Sequence, residues 1–392
     1  MRKDIVLLGL AYVLSQFYRS FLSVLTVPLQ RDLGATPEEM ANASGLWFLF
    51  FALSQIPVGA MLDRIGPRRT AAWLLLFGGG GGAATFVVAT APWHISLGMA
   101  LLGIGCAPVL MAAYYILARE YPPSRFSTYA GLIVGIGTTG SIFSSLPLVW
   151  AVDLFGWRGT MAVLAGLSIA AALGILVVVR DPARVTVEKH GSIFDILRIP
   201  AMWPILPLMT VCYLPAGGFR GVWTGPYLTE VYGADFATIG TVALILGVAV
   251  VAGTLAYGPG ELVFRTRKWL AAVGVAIATL TCFALIVLPP SGIWQAAILI
   301  AALCFFSSCY SLLISHGRAF VPPHLIGRGV TLLNLCGMMG VGGSQLITGR
   351  IYAAEAAAGS SPAQTYDAIF LFYGVALALG LVAYLFSRDR LD

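Results

Sequence analysis

The chain has 392 residues, of which 59% are hydrophobic and only 10% charged, with a mean hydropathy of +0.88 and a formal charge of +6. Soluble domains carry about a quarter charged residues, so an ordinary soluble enzyme is excluded. The six cysteines all fall in apolar stretches, where they behave as small hydrophobes, and they make no disulfide framework.

Windows of roughly 20 apolar residues, enough to cross a bilayer, recur at 5–29, 38–61, 71–91, 94–117, 128–150, 159–180, 202–226, 236–258, 269–289, 294–316, 329–350 and 366–387. This pattern predicts an all-α integral membrane protein with twelve transmembrane helices. The opening MRKDIVLLGLAYVLSQ has the basic and apolar regions of a signal peptide. Its apolar run continues past the usual length without a small-residue cleavage site, so it reads as a retained first helix. One set of alternate loops holds most of the basic residues, among them Arg64, Arg68, Arg69, Arg119, Arg267 and Lys268, while the opposite loops hold Arg31, Arg158 and Arg350. The positive-inside rule then places both termini in the cytoplasm. The charge describes topology and contact with the lipid bilayer, and nothing suggests nucleic-acid binding.

Arg19 and Arg220 belong to neither set of loops. If 5–29 is one helix, Arg19 lies ~15 Å from its nearer end at 1.5 Å per residue, too deep to snorkel. A central arginine costs about 2.5–3.5 kcal/mol on insertion scales and normally faces a bundle interior or a wet cavity. The two arginines are 201 positions apart, as are Tyr12 and Tyr213, and the pair Pro122 and Pro123 recurs as Pro322 and Pro323. Each arginine follows an aromatic residue, Tyr18 or Phe219, and precedes a proline and a glycine-ended stretch, VPLQRDLG or GPYLTEVYG. The repeat predicts two pseudo-symmetric six-helix bundles, 1–180 and 202–392, joined by a cytoplasmic linker at 181–201.

Residues three, four and seven apart share a helix face. Arg19 shares its face with Tyr12, Ser15, Gln16, Ser23 and Thr26, and Arg220 shares its own with Tyr213, Gly217, Trp223, Thr224 and Tyr227. No Asp or Glu lies deep in any window, so neither arginine has an intramembrane carboxylate partner. An anionic substrate held by the two guanidinium forks supplies the missing charge. Backbone carbonyls or an aromatic face are the alternative partners. The candidate substrate-binding residues are Arg19, Arg220, Tyr12, Gln16, Tyr18, Ser23, Tyr213, Trp223 and Thr224. Tyr310, with the hydroxyls of Ser307, Ser308, Ser311 and Ser315, forms a second tier for which helix packing is the competing reading.

Residues 59–69, GAMLDRIGPRR, fit the pattern G-x-x-x-D-R-x-G-x-[RK]-[RK] at Gly59, Asp63, Arg64, Gly66, Arg68 and Arg69. On this loop the chain resembles the major facilitator superfamily. A degenerate copy, YGPGELVFRTRK, keeps Arg267 and Lys268, with Glu261 loosely replacing the aspartate. The resemblance implies that substrate binds between two halves near the midplane and that the halves rock about it. It also makes the loop a conformational latch, in which Gly59 would allow a close helix approach and Asp63 would bond arginines or a helix N-terminus. The fourth window lacks the arginine often seen there, and the fifth lacks the Gly-Pro signature of drug antiporters, which argues against multidrug export. The two-arginine pattern is similar to that of the organophosphate:phosphate antiporter branch, although Ser20 stands where those carry lysine and the fifth window has no histidine. Anion:cation symporters of carboxylates also carry an arginine on the first helix.

The remaining signals are structural. The glycines at 78–82, with Gly131, Gly135, Gly137, Gly340, Gly342 and Gly343, read as helix-packing residues, since no Lys-Ser/Thr follows to build a phosphate loop. Met338, Met339, Cys304 and Cys309 are poorly spaced for one metal ion. His94, His190, His316 and His324 lie at helix ends or in loops, where a solvated or capping role is expected. No metal, cofactor or enzymatic activity is therefore expected. The expected protein is a monomeric secondary active transporter of a small organic anion, carboxylate or organophosphate, in the inner cell membrane. It would work by alternating access, with exchange favoured because an empty cavity holding two guanidinium groups resists closing. The alternatives are a proton-coupled symporter or exporter of a small metabolite or drug, and a non-transporting membrane anion sensor.

Overall fold

The computed structural model describes residues 3–121, 123–182, 193–322 and 325–391, and every regular element among them is helical. Pro122, Pro323, His190, His324 and residues 183–192 of the expected linker lie outside the described residues. Among the described residues ten helices are long and apolar enough to cross a membrane, and Lys3–Tyr18 with Leu22–Leu33, bent by 53°, make an eleventh when taken as one span. The window at 128–150 falls on the apolar helix Tyr129–Phe143. Helix resumes at Leu146 after a break at Ser144 and Ser145, and leaves helical geometry at Gly156 (φ 67, ψ 164). The protein is thus a multi-pass membrane protein, with large apolar side chains such as Val177, Leu262 and Phe386 mostly exposed where lipid is the solvent.

Helix starts follow local chemistry. Thr36 with Glu39, and Ser361 with Gln364, form capping boxes in front of Pro37–Arg64 and Pro362–Leu385. Proline occupies the first helical turn at Pro37, Pro67, Pro92 and Pro362, where its missing N–H costs nothing. The first span of each repeat ends on a left-handed glycine, Gly34 (φ 67) and Gly233 (φ 64).

The chain divides into two compact units, Met1–Thr186 with Phe236–Leu244, and Val187–Asp235 with Ile245–Asp392. In the first, Tyr18, Phe21, Trp47, Phe48 and Phe86 fill the core, and the Tyr18 hydroxyl is tied to the Leu164 carbonyl (3.1 Å) and Ser168 (2.9 Å). In the second, Phe219 stacks on Phe370 at 5.2 Å, beside buried Tyr366 and Tyr373. Each unit contains a Gly-x-x-Gly close approach: a Cβ on Gly140 would collide with the Val13 carbonyl, and one on Gly340 with the Thr210 carbonyl. Of the glycines at 78–82, Gly78 and Gly82 do the same against the Pro92–Glu120 helix, facing Gly105 and Gly98, whereas Gly81 meets nothing within 4 Å.

The first and seventh spans depart from the continuous helices expected. The first breaks at residues 19–21, where Ser23 and Thr26 donate to the backbone carbonyls three residues before them (2.9 and 3.2 Å). The seventh contains a π-helical turn, Phe219–Trp223, where the Thr224 hydroxyl takes the Phe219 carbonyl (2.7 Å). Polar side chains that bond the backbone relieve the cost of opening a helix in the membrane, so both breaks fall where each repeat carries its arginine.

Candidate functional site

Arg19 sits in the break of the first span, with its guanidinium carbon 5.3 Å from the Trp47 ring and 5.5 Å from that of Phe51. Both rings belong to Pro37–Arg64 and lie stacked, centroids 5.0 Å apart. The aromatic faces partly balance the charge. They do not satisfy its N–H groups, and Arg19 Nε is buried without a hydrogen-bond partner. Arg220 is 8% exposed and donates from Nη1 to the Tyr213 hydroxyl (3.2 Å), while its Nη2 is buried and unpartnered. A buried guanidinium N–H left unpaired costs about 1–3 kcal/mol or more, and a bound anion would remove that cost.

Among the other candidates, Gln16 is buried with Oε1 unpartnered, and Tyr12 packs against Gly137. Tyr310 donates to Asn334 Oδ1 (2.6 Å) and its ring lies 5.8 Å from Tyr213. The polar groups of several candidates are committed elsewhere. Tyr18 bonds the Leu146–Val178 helix, Ser23 and Thr224 bond backbone carbonyls, and Trp223 donates to Thr348 (3.1 Å). Ser307 and Ser308 donate to the Cys304 carbonyl at the break between Ile293–Phe306 and Tyr310–Arg318, in keeping with their packing role.

Sequence reasoning passed over Trp47, Phe51, Asn334 and Gln345. Gln345 is fully buried and donates to the Gly217 (3.3 Å) and Gly218 (3.4 Å) carbonyls just before the π-turn that carries Arg220. An amide in an apolar window was the available signal for Asn334 and Gln345; Trp47 gave none, since an aromatic residue fits any membrane helix. Glu230 lies at the end of its span, as expected, in the last turn of a helix that stops at Tyr232, and its carboxylate accepts from Tyr352 (2.9 Å) and Tyr366 (2.8 Å). His316 is fully buried rather than solvated: Nε2 donates to the Arg388 carbonyl (2.9 Å), leaving Nδ1 for the Tyr384 hydroxyl (2.7 Å). A cavity of about 490 Å³ near the Gly34 end of the first span is ringed by Arg31, Asp32, Trp157 and Arg158. Its charges are largely matched, because Asp32 accepts from both Arg31 and Trp157 at 2.8 Å.

In the latch loop, Asp63 pairs with Arg119 on the Pro92–Glu120 helix (3.7 Å). The helix N-terminus is taken by Asp181, which accepts from Arg68 N–H (2.8 Å). Gly66 (φ 102) makes room for it, since a Cβ there would stand 2.7 Å from the Asp181 carboxyl. Arg64, Arg68 and Arg69 are exposed. Gly59, expected to permit close helix approach, has no heavy atom within 4 Å of where a Cβ would stand, so no neighbouring helix approaches it closely here. The degenerate copy is built alike: Glu261 pairs with Arg267 (2.6 Å), and Asp389 accepts from Thr266, Arg267 N–H and Lys268 N–H. Burial works against the Asp389 charge, but those donors outweigh it and hold the carboxyl below its usual range. Asp63→Asn is expected to lower turnover while leaving equilibrium substrate affinity within about twofold. An affinity loss as large as the turnover loss would remove the latch assignment.

The chain matches the sequence profile of the Major Facilitator Superfamily over residues 8–344. It is 24% identical to a probable L-galactonate transporter of Escherichia coli strain K12, across 97% of this chain and 88% of that protein. It is also 24% identical to a D-galactonate transporter of Escherichia coli O6:H1, across 50% of this chain and 45% of that protein. Its fold is similar to the crystal structure of a bacterial homolog of the human lysosomal transporter Spinster, with a TM-score of 0.75, 18% identity, and 98% and 96% of the two chains covered. With a profile match that spans most of its length and two six-helix repeats each opening on a broken, arginine-bearing span, the chain belongs to the major facilitator superfamily and is a transporter, not an enzyme.

Proposed function

We propose that the protein is a secondary active transporter of a small organic anion of the sugar-acid class, working by alternating access between halves 1–180 and 202–392. The carrying observation is the pair of arginines at broken spans, each with a buried guanidinium N–H that lacks a partner. The two galactonate-transporter relatives favour a carboxylate over a phosphoryl group. Arg19, Arg220, Gln16, Tyr213 and Tyr310 are the residues proposed to line the path of the anion. The basic residues gathered in one set of loops support an inner-membrane orientation with both termini cytoplasmic, and the proposed working form is a monomer.

Exchange is the favoured mode, because arginine stays charged at neutral pH and its cost in an empty cavity is relieved only by an anion. Glu230 supports a second reading, proton coupling, since it is a carboxylate inside a span and held by neutral tyrosines. Uptake of radiolabelled galactonate into proteoliposomes separates the two. Exchange requires galactonate inside the vesicles and persists when the proton gradient is collapsed. Concentrative uptake into empty vesicles driven by an acidic exterior, and lost in Glu230→Gln, would establish proton coupling instead.

A further inference from the structure

Four unsatisfied polar atoms lie on two neighbouring faces within the first unit: Arg19 Nε and Gln16 Oε1 on the first span, Trp47 Nε1 and Ser44 Oγ on Pro37–Arg64. Gln16 lies in the last turn of Lys3–Tyr18 and Arg19 directly follows that helix, while Ser44 and Trp47, three residues apart, share a helix face. The Arg19 guanidinium over the Trp47 ring, at 5.3 Å, brings the two faces together. Trp47 is fully buried, Ser44 1% exposed and Gln16 8% exposed, so bulk water does not satisfy them. Unpaired polar groups of this kind are rare in folded proteins.

Their chemistry specifies more than charge. An indole N–H and a guanidinium N–H only donate, while an amide oxygen only accepts. A simple carboxylate, which only accepts, would serve Arg19 and Trp47 and leave Gln16 Oε1 unpaired. An acid bearing a hydroxyl beside its carboxylate serves these three, the carboxylate accepting from Arg19, the hydroxyl oxygen accepting from Trp47 and its proton going to Gln16. We infer that Trp47 and Gln16 form a hydroxyl-recognition subsite beside Arg19, and that Trp47 is a specificity-determining residue selecting 2-hydroxy acids over their deoxy analogues.

This rests on the organic-anion reading above and is tested separately from it. The full chain, purified in detergent, is titrated with galactonate and with 2-deoxygalactonate, and binding is read from the shift in thermal unfolding. The native protein is expected to bind galactonate about tenfold more tightly than the deoxy acid. Trp47→Phe keeps the ring under Arg19 but removes the N–H, and Gln16→Met keeps length but removes the acceptor. Each is expected to weaken galactonate about tenfold and to leave 2-deoxygalactonate within about twofold. Equal losses for both acids would mean that packing, not hydroxyl recognition, was lost, and would overturn the subsite. Unchanged galactonate affinity in either variant, or no galactonate binding by the native chain, would overturn it too. If Arg19→Lys alone bound galactonate normally while the deoxy discrimination stood, the anion reading would fall and the subsite would not.

Discussion

Lysine in place of Arg19 or Arg220 is expected to reduce galactonate affinity, and uptake with it, by roughly 10–100-fold per site. Lysine keeps the positive charge, so a merely electropositive cavity would tolerate it. It loses the planar fork, and with it Arg19 Nε and Arg220 Nη2, the N–H groups that have no partner among the described residues. The Arg220 variant also loses the bond to the Tyr213 hydroxyl. Insertion and folding should survive, because a lysine at 19 can still lie over the Trp47 and Phe51 rings. Membrane levels near those of the native protein, with transport largely gone, are the expected pair of results. Loss of insertion in both variants would make the arginines structural.

The second large effect concerns packing. Alanine at Gly140 or Gly340 places a methyl group inside the carbonyl shell of Val13 or Thr210, on a facing helix of the same unit. Backbone cannot give way as a flexible side chain can, so the helices must separate. The loss should lie toward the upper end of the roughly 1–3 kcal/mol typical of overpacking. Both variants should unfold at clearly lower temperature in detergent, whereas Gly131→Ala and Gly135→Ala, which face open space, should not. A native-like melting temperature for Gly140→Ala or Gly340→Ala would mean that the helix pair is not so close in the working protein.

The two repeats and their arginines were legible in the sequence because a buried charge in an apolar window is costly and conspicuous. The offset of 201 between Arg19 and Arg220 paired the two units before any coordinates. What the sequence hid was backbone geometry. The helix break at 19–21 and the π-turn at 219–223 go with bonds from local hydroxyls and, beside Arg220, from a distant amide, Gln345, and no periodicity reports such cooperation. Asp63, which pairs with Arg119, was visible in its motif. Asp181 and Asp389, which do the helix capping, were not, because each lies more than a hundred residues from the N–H groups it accepts from. Ser23 was read as cavity lining from helical spacing and Tyr18 from its place beside Arg19, and neither spacing nor adjacency tells a face turned to a cavity from one turned to a neighbouring helix.

Equilibrium binding of galactonate to the native protein, Arg19→Lys, Arg220→Lys and the double variant tests the proposed recognition of the anion by these two arginines most directly. The account predicts at least a tenfold loss of affinity in each single variant and no measurable binding in the double variant. It also predicts that the neutral galactonamide does not compete. Native-like galactonate affinity in the double variant, or competition by the amide at the same concentration as by the acid, would contradict it.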